Sequence, residues 1–356
     1  VVKARDRDAP VSREGLIFRI LGYDHPRGVY FCDLEYAPEM LYKSSDRRAL
    51  RDGGRMKYYK FYFDEGLKFV KKRFPYYTVY SEIFQERMVG IRDEQIVELR
   101  KPDEKLQQIF RKNKSDKLID VLKTVIEEVL EISTLKLTDF GVFGSLLHDF
   151  YNVSYSDLDF IIYGIKQVEE LREVLEELYR DSSSGFRNEY EGPKPPDSRY
   201  KRFHHLSLKE YMWHQKRKMI YSVYNKAWRI FKIEFEPVKR WEEIVNEYLN
   251  IARIEKIGFI EAVVEVIDSS QSYFMPSVYR VEVLESNSIP SSIDVDRIVS
   301  YVEEFRLQLE KGEIGYVRGW LEKITTIDGK EEYQITLTYG PRYFDQVLKV
   351  SDFKHV

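Results

Sequence analysis

Residues 140–164 read FGVFGSLLHDFYNVSYSDLDFIIYG, and the middle of the chain turns on them. An apolar run ends at Gly144-Ser145, eleven residues follow, and Asp157-Leu158-Asp159 then enters a second apolar run. In a strand, residues two apart project to the same side, so Asp157 and Asp159 point together while Leu158 and Phe160 face the other way. Two neighbouring carboxylates repel, and such a pair persists only when protonated, solvated or neutralised by a cation. Carboxylate oxygens are the ligands Mg²⁺ takes, so the pair is placed to share one or two such ions. Two ions about 3.5–4 Å apart stabilise both the attacking and the leaving oxygen in phosphoryl-type transfer. Gly144-Ser145 supplies the other half. A glycine between strand and helix lets backbone N–H groups approach a phosphate, the helix N-terminus favours the anion, and the Ser145 hydroxyl adds a donor.

Working outward, Leu118, Leu122, Val125, Val129 and Ile132 recur at helical spacing, which predicts helix, strand, Gly-Ser turn, strand. VEELREVLEELY predicts a second amphipathic helix, SSSGFRNEYEGPKPPDS a turn-rich loop, and WRIFKIEFEPV a strand with Glu234 and Glu236 on one face. Upstream, GLIFRIL, GVYFCDLEYA and YYKFYF read as strands around the loop RRALRDGGR, followed by a helix, DEGLKFVKKRF, that stops before Pro75. KPDEKLQQIFRKNKSD reads as a boundary helix and linker, with Ser115 in a capping position. Past residue 251, IGFIEAVVEVI and SVYRVEVLE read as strands, Val295 to Leu309 as a helix, and GYVRGWLEKI and YQITLTY as a hairpin turning at Asp328-Gly329. The fold expected is multi-domain α/β (α+β). It comprises an N-terminal α/β domain over 1–112, a central domain over 113–250, and a β-rich C-terminal barrel or sheet over 251–356.

Gly144-Ser145, the eleven-residue gap and Ser156-Asp157-Leu158-Asp159 followed by FIIY resemble the signature of the polymerase-β-type nucleotidyltransferase superfamily. The resemblance implies that Asp157 and Asp159 hold two Mg²⁺ ions, that Gly144 and Ser145 bind the phosphates of an NTP, and that NMP passes to a hydroxyl acceptor. It also implies a third catalytic carboxylate on a neighbouring strand. Similarity to archaeal members, whose third acid precedes a hydrophobic-X-Pro ending, points to Glu234, three residues before Pro237, with Glu236 as the alternative. One departure stands out. Many members carry a basic residue soon after Gly-Ser, whereas here Leu146 and Leu147 intervene and only His148 is nearby. Triphosphate handling must then use other cations, or the nucleotide site is degenerate, as in the superfamily's inactive members. The opening SREGLIFRILGYDHP and the terminal VRGWLEKI unit also resemble archaeal predicted nucleotidyltransferases of unknown substrate.

The formal charge of −3 does not favour a nucleic-acid partner for the whole chain, but its distribution is uneven. Between Tyr200 and Arg240 eleven Lys/Arg face three acids, a net of +8, interleaved with Tyr211, Trp213, Tyr221, Tyr224 and Trp228. Such a segment, with Lys216, Arg217 and Lys218, suits RNA or DNA phosphates and stacked bases. Its bland alternative is a solvated helix with aromatics turned inward, and three consecutive residues on a helix cannot all face one groove. Tyr316, Arg318 and Trp320 alternate on one face of a terminal unit resembling OB-fold barrels, which bind single strands. Arg47, Arg48, Arg51 and Arg55 in RRALRDGGR bind phosphate or line a solvated loop. His204, His205 and His214 match no zinc spacing and read as surface or phosphate-contacting residues. The single cysteine, Cys32, excludes an internal disulfide and reads as core. No apolar run approaches the roughly 18–20 residues that span a bilayer, so a cytosolic (cytoplasmic) protein with no membrane partner is expected. Composition rich in Lys, Glu and Tyr and poor in cysteine fits a heat-adapted organism. Two rivals to NMP transfer onto nucleic acid remain: AMP transfer to a protein or small molecule, and a catalytically inactive nucleic-acid-binding protein.

Overall fold

Alternating apolar runs open the chain as strands: β1 (Ala9–Ser12), β2 (Ile17–Ile20), β3 (Val29–Pro38), β4 (Leu50–Asp52) and β5 (Lys57–Lys60). Helix α1 (Glu65–Arg73) ends at Phe74 because the following Pro75 disfavours helical backbone before it. Then come β6 (Thr78–Ser81), β7 (Glu86–Arg92), β8 (Ile96–Arg100) and α2 (Pro102–Arg111), whose proline occupies the first turn, where its missing N–H costs nothing. In α3 (Lys117–Glu131) the cap is Asp116, which accepts from the N–H groups of Leu118 at 2.9 Å and Ile119 at 3.0 Å. The middle continues through β9 (Phe140–Val142), α4 (Gly144–Leu147), β10 (Leu158–Tyr163), α5 (Ile165–Arg180), β11 (Phe186–Asn188), α6 (Leu208–Arg217), β12 (Tyr221–Tyr224) and β13 (Phe231–Val238). Last are β14 (Ile251–Gln271), β15 (Ser277–Glu285), β16 (Arg297–Ser300), β17 (Ile314–Thr326), β18 (Glu331–Leu337) and β19 (Val347–Val350). This computed structural model describes residues 3–351 apart from 55, 63, 82–85, 113–115, 194, 197, 287, 340 and 341. Arg55 and Ser115 therefore lie outside the described residues.

The chain divides into two compact units: Val1–Gln167 with Ile233–Leu249, and Val168–Lys232 with Asn250–Val356. In the first, the N-terminal sheet runs β4-β5-β3-β2-β1-β8, with β7 joining β3 to β6. One face packs Phe18, Leu34, Val70, Phe74 and Ile91, and Cys32 is buried among them. The other face, from Val11, Ile17 and Tyr36, packs on Leu147 and Phe150, so the N-terminal sheet is built directly onto the Gly-Ser segment. Strand β10 lies between β9, antiparallel, and β13, parallel. Phe160 stacks on Phe235 at 5.3 Å on one side of this sheet, and Ile161, Tyr163 and Val238 pack on the other. The second side also holds ionic groups: Arg7 pairs with Glu236 at 3.0 Å, and the Arg5 guanidinium lies 3.7 Å above the Tyr163 ring.

In the second unit β11 and β12 form an antiparallel pair, and the strands after residue 250 close on themselves. β14 pairs with both β15 and β17, β15 with β16, β16 with β18, and β18 with β17; only the β16–β18 pair is parallel. Closing a sheet on itself requires its strands to bend, and β14 shows register shifts in both of its ladders. The hairpin at Asp328-Gly329 forms as expected, with Gly329 at φ +84°. The helix expected over Val295–Leu309 does not. That stretch gives β16, a short 3₁₀ turn at Glu303–Phe305, and a left-handed Leu307. Its apolar residues recur at helical spacing, but β-branched Ile298 and Val299 are both buried with pairing strands on either side. Among the described residues no helix is long and apolar enough to cross a membrane.

Candidate functional site

The parallel ladder between β10 and β13 sets Asp159 directly opposite Glu234. Paired positions on adjacent strands carry side chains on the same face, about 5 Å apart, so these two half-buried carboxylates share one surface. Asp157, exposed, precedes the first residue of β10. The Phe143 N–H donates to the Asp159 carbonyl at 3.0 Å, which seats the start of α4 against β10. At Gly144, φ is +61°, and a Cβ built there would collide with Asp159 Oδ2. Glycine is thus required twice, by its backbone conformation and by the carboxylate lying against it. Ser145 Oγ donates to Ser156 Oγ at 3.4 Å, and Ser156 Oγ accepts the Asn152 N–H at 2.8 Å, so the two ends of the motif are joined ahead of Asp157. The intervening loop is pinned by Lys105 to Asp149 at 2.6 Å and by the Tyr151 hydroxyl to Asp116 at 2.8 Å.

The sequence left two candidates for the third acid, and their surroundings differ. Glu236 stands opposite Ile161, is only 4% exposed, and is bound to the Arg7 guanidinium. Glu234 stands opposite Asp159 beside Gly144. Among the described residues no three His, Cys, Asp or Glu side chains converge as a set ready to hold a metal ion. The donor chemistry still fits Mg²⁺, being all carboxylate oxygen, and the absence of a Cβ at Gly144 lets the Asp159 carboxylate lie against the backbone there. Helix α4 is a single turn, so attraction of an anion here rests on N–H groups and the Ser145 hydroxyl rather than on a macrodipole.

His148 is no phosphate ligand. It is 5% exposed, burial and the nearby Arg100 hold its pKa well below the usual range, and its Nδ1 lies 3.1 Å from Arg100 Nη1. A cation missed by the sequence reading lies on the sheet face packed against this segment. Lys60 on β5 pairs in register with Tyr36 on β3, on the sheet face that packs against Leu147 and Phe150. The Tyr36 hydroxyl first, then Glu35 and Asp159, hold the Lys60 ammonium above its usual pKa despite burial. Its signal in the sequence was a lone lysine inside the aromatic run YYKFYF.

The basic segment is spread out by the fold. Lys218 is fully buried and its Nζ donates to the Glu304 carbonyl at 2.7 Å; Arg217 pairs with Glu313 at 2.8 Å and lies 4.5 Å over Trp213; exposed Lys216 reaches Glu191 at 3.3 Å. Tyr211, Tyr221 and Tyr224 are buried, so the inward-packing alternative describes these aromatics, while Trp228 is exposed. His214, expected at the surface, is buried, with a pKa pushed well down by burial. His204 is exposed 3.2 Å from Asp345, and His205 is half-exposed. On the barrel, Tyr316, Arg318 and Trp320 do alternate outward between buried Val317 and Leu321. Phe259 packs on Trp320 at 5.3 Å, and the Arg342 guanidinium lies 3.7 Å over Phe259.

No family model and no solved structure matches the chain. It is similar to an uncharacterized protein of Methanocaldococcus jannaschii, 25% identical over 360 residues, covering 98% of this chain and 99% of the relative.

Proposed function

We propose that the chain is a nucleotidyltransferase of the polymerase-β type, with its site on β10, β13 and the start of α4. The observation that carries this reading is the registered pair Asp159 and Glu234 with Gly144 packed against the Asp159 carboxylate. Asp157, Asp159 and Glu234 would hold two Mg²⁺ ions, which when bound supply Lewis-acid stabilisation of the attacking and leaving oxygens. Gly144 N–H and the Ser145 hydroxyl would hold and orient the NTP phosphates, leaving the α-phosphate open to the hydroxyl of the acceptor. Glu236, locked to Arg7, would keep β13 in register rather than take part in transfer.

A nucleic-acid acceptor is favoured by the C-terminal strands. The closed five-stranded ring ordered β14-β15-β16-β18-β17, with one parallel pair, supports reading these strands as an OB-like barrel, a fold that binds single strands. The outward Trp320, Phe259, Arg342 and Arg318 offer stacking and charge. The test is incubation with Mg²⁺ and each labelled NTP in the presence of RNA, DNA or protein. Label on an acceptor that disappears in Asp157→Ala/Asp159→Ala is the expected result. Labelled protein instead of nucleic acid would select the AMP-transfer alternative. Salt-dependent binding of single strands that is unchanged in the double variant, with no transfer by the parent, would select a binding protein without chemistry.

A further inference from the structure

The motif lacks a charged residue after Gly144-Ser145, since His148 is buried and neutral beside Arg100. A triphosphate facing three carboxylates needs countercharge, and the N-terminal sheet is the part of this unit that brings it. The β4–β5 hairpin lies on the loop that follows α4: the rings of Tyr58 and Phe150 are 4.6 Å apart, and a Cβ at Gly53 would come within 2.9 Å of Phe150. Register puts Arg51 opposite Tyr58 and Lys60 opposite Tyr36, so all four share the face turned to the Gly-Ser segment. Tyr36 packs there on Leu147 and Phe150, with His148 5.2 Å from its ring. Lys60 Nζ sits 6.0 Å from the Tyr36 and Tyr62 rings and, among the described residues, has no hydrogen bond or ion pair. A half-buried ammonium with no hydrogen bond or ion pair, on the sheet face packed against the segment that follows Gly144-Ser145, is a charge held for something else. Arg51 instead donates to the Arg48 and Leu50 carbonyls, which aims it without neutralising it.

We propose that Lys60 is the principal protein cation for the triphosphate at Gly144-Ser145, with Arg51 as a second, so that the N-terminal sheet completes the nucleotide site. This rests on the nucleotidyltransferase reading. The competing explanation is that Lys60 only offsets the charge of Asp159.

The test is calorimetric titration of the full chain with inorganic tripolyphosphate and with ATP, each with Mg²⁺. Lys60→Gln should weaken both at least tenfold, Lys60→Arg should restore binding to within about threefold, and Arg51→Gln should weaken it about threefold; Lys68→Gln on α1 is the control. Should Lys60→Gln fail to fold, Lys60→Met against Lys60→Arg makes the same comparison. With EDTA replacing Mg²⁺, Asp159→Asn should bind tripolyphosphate more tightly than the parent, and Lys60→Gln should cancel that gain. A gain that survives in Lys60→Gln/Asp159→Asn, or wild-type affinity in Lys60→Gln with Mg²⁺, overturns the proposal and leaves the transferase reading standing. A parent chain that binds neither tripolyphosphate nor any NTP overturns both.

Discussion

Glu234 and Glu236 sit two residues apart on one strand and on one face, yet they occupy different media. At the open end, Glu234 lies opposite Asp159, with exposed Asp157 beyond and Gly144 beside. Two residues further in, Glu236 is buried and held by the guanidinium of Arg7, which is itself buried. A carboxylate removed from water needs a fixed partner or it loses its charge, whereas one at the rim can exchange water for a ligand. The face of β13 is thus a strut at one end and a site at the other.

Experiments can break that contrast. Asp159→Asn is expected to lower nucleotide transfer about 10³-fold, equivalent to ~4 kcal/mol, with the melting temperature little changed; initial rates of label incorporation check this. In the sealed part the effect should pass to stability. Glu236→Ala takes from buried Arg7 the carboxylate that holds it at 3.0 Å and should cost about 3–5 kcal/mol in urea denaturation, while Glu234→Ala at the rim should stay within about 1 kcal/mol. Equal losses for both would erase the distinction between strut and site.

A buried histidine elsewhere in the first unit should also titrate as a stability effect. Burial holds the His25 pKa down at about 4; its Nδ1 accepts the Phe31 N–H and its Nε2 faces the Gly22 carbonyl. The folded value lies below the unfolded 6.5, so the unfolded chain binds the proton first. Stability from this group is full above pH 6.5 and declines as pH falls toward 4, by roughly 3 kcal/mol. Denaturation midpoints between pH 7 and 4 should show this slope and should lose it in His25→Gln. A smaller change in stability than that of Glu236→Ala is expected at the hinge of the comparison. Gly144→Ala forces a left-handed alanine against Asp159 and should cost about 1–3 kcal/mol, together with loss of tripolyphosphate binding in the calorimeter.

Much of the first unit was legible in the sequence, because its signals are local. The helix ending before Pro75, the α3 periodicity, the Gly-Ser turn and the strand carrying Asp159 all follow from spacing and backbone preference over a few residues. The helix expected over Val295–Leu309 failed for the converse reason: pairing of β16 with strands on both sides overrode a helical spacing of apolar residues. Lys218 was misleading in the same way, since a lysine in a basic run reads as surface until the Glu304 carbonyl is found waiting for its ammonium.

The sequence by itself determined the pattern of acids, glycine and serine, and the local elements that carry them, since each depends on side-chain alternation and φ preferences of adjacent residues. Only the tertiary structure decided which glutamate lies opposite Asp159, which of the basic residues remain at the surface, and that Lys60, far upstream in the chain, shares a sheet face with the residues packed on the Gly-Ser segment. Strand register and burial are set by contacts between segments distant in the chain, and nothing local to either segment encodes them.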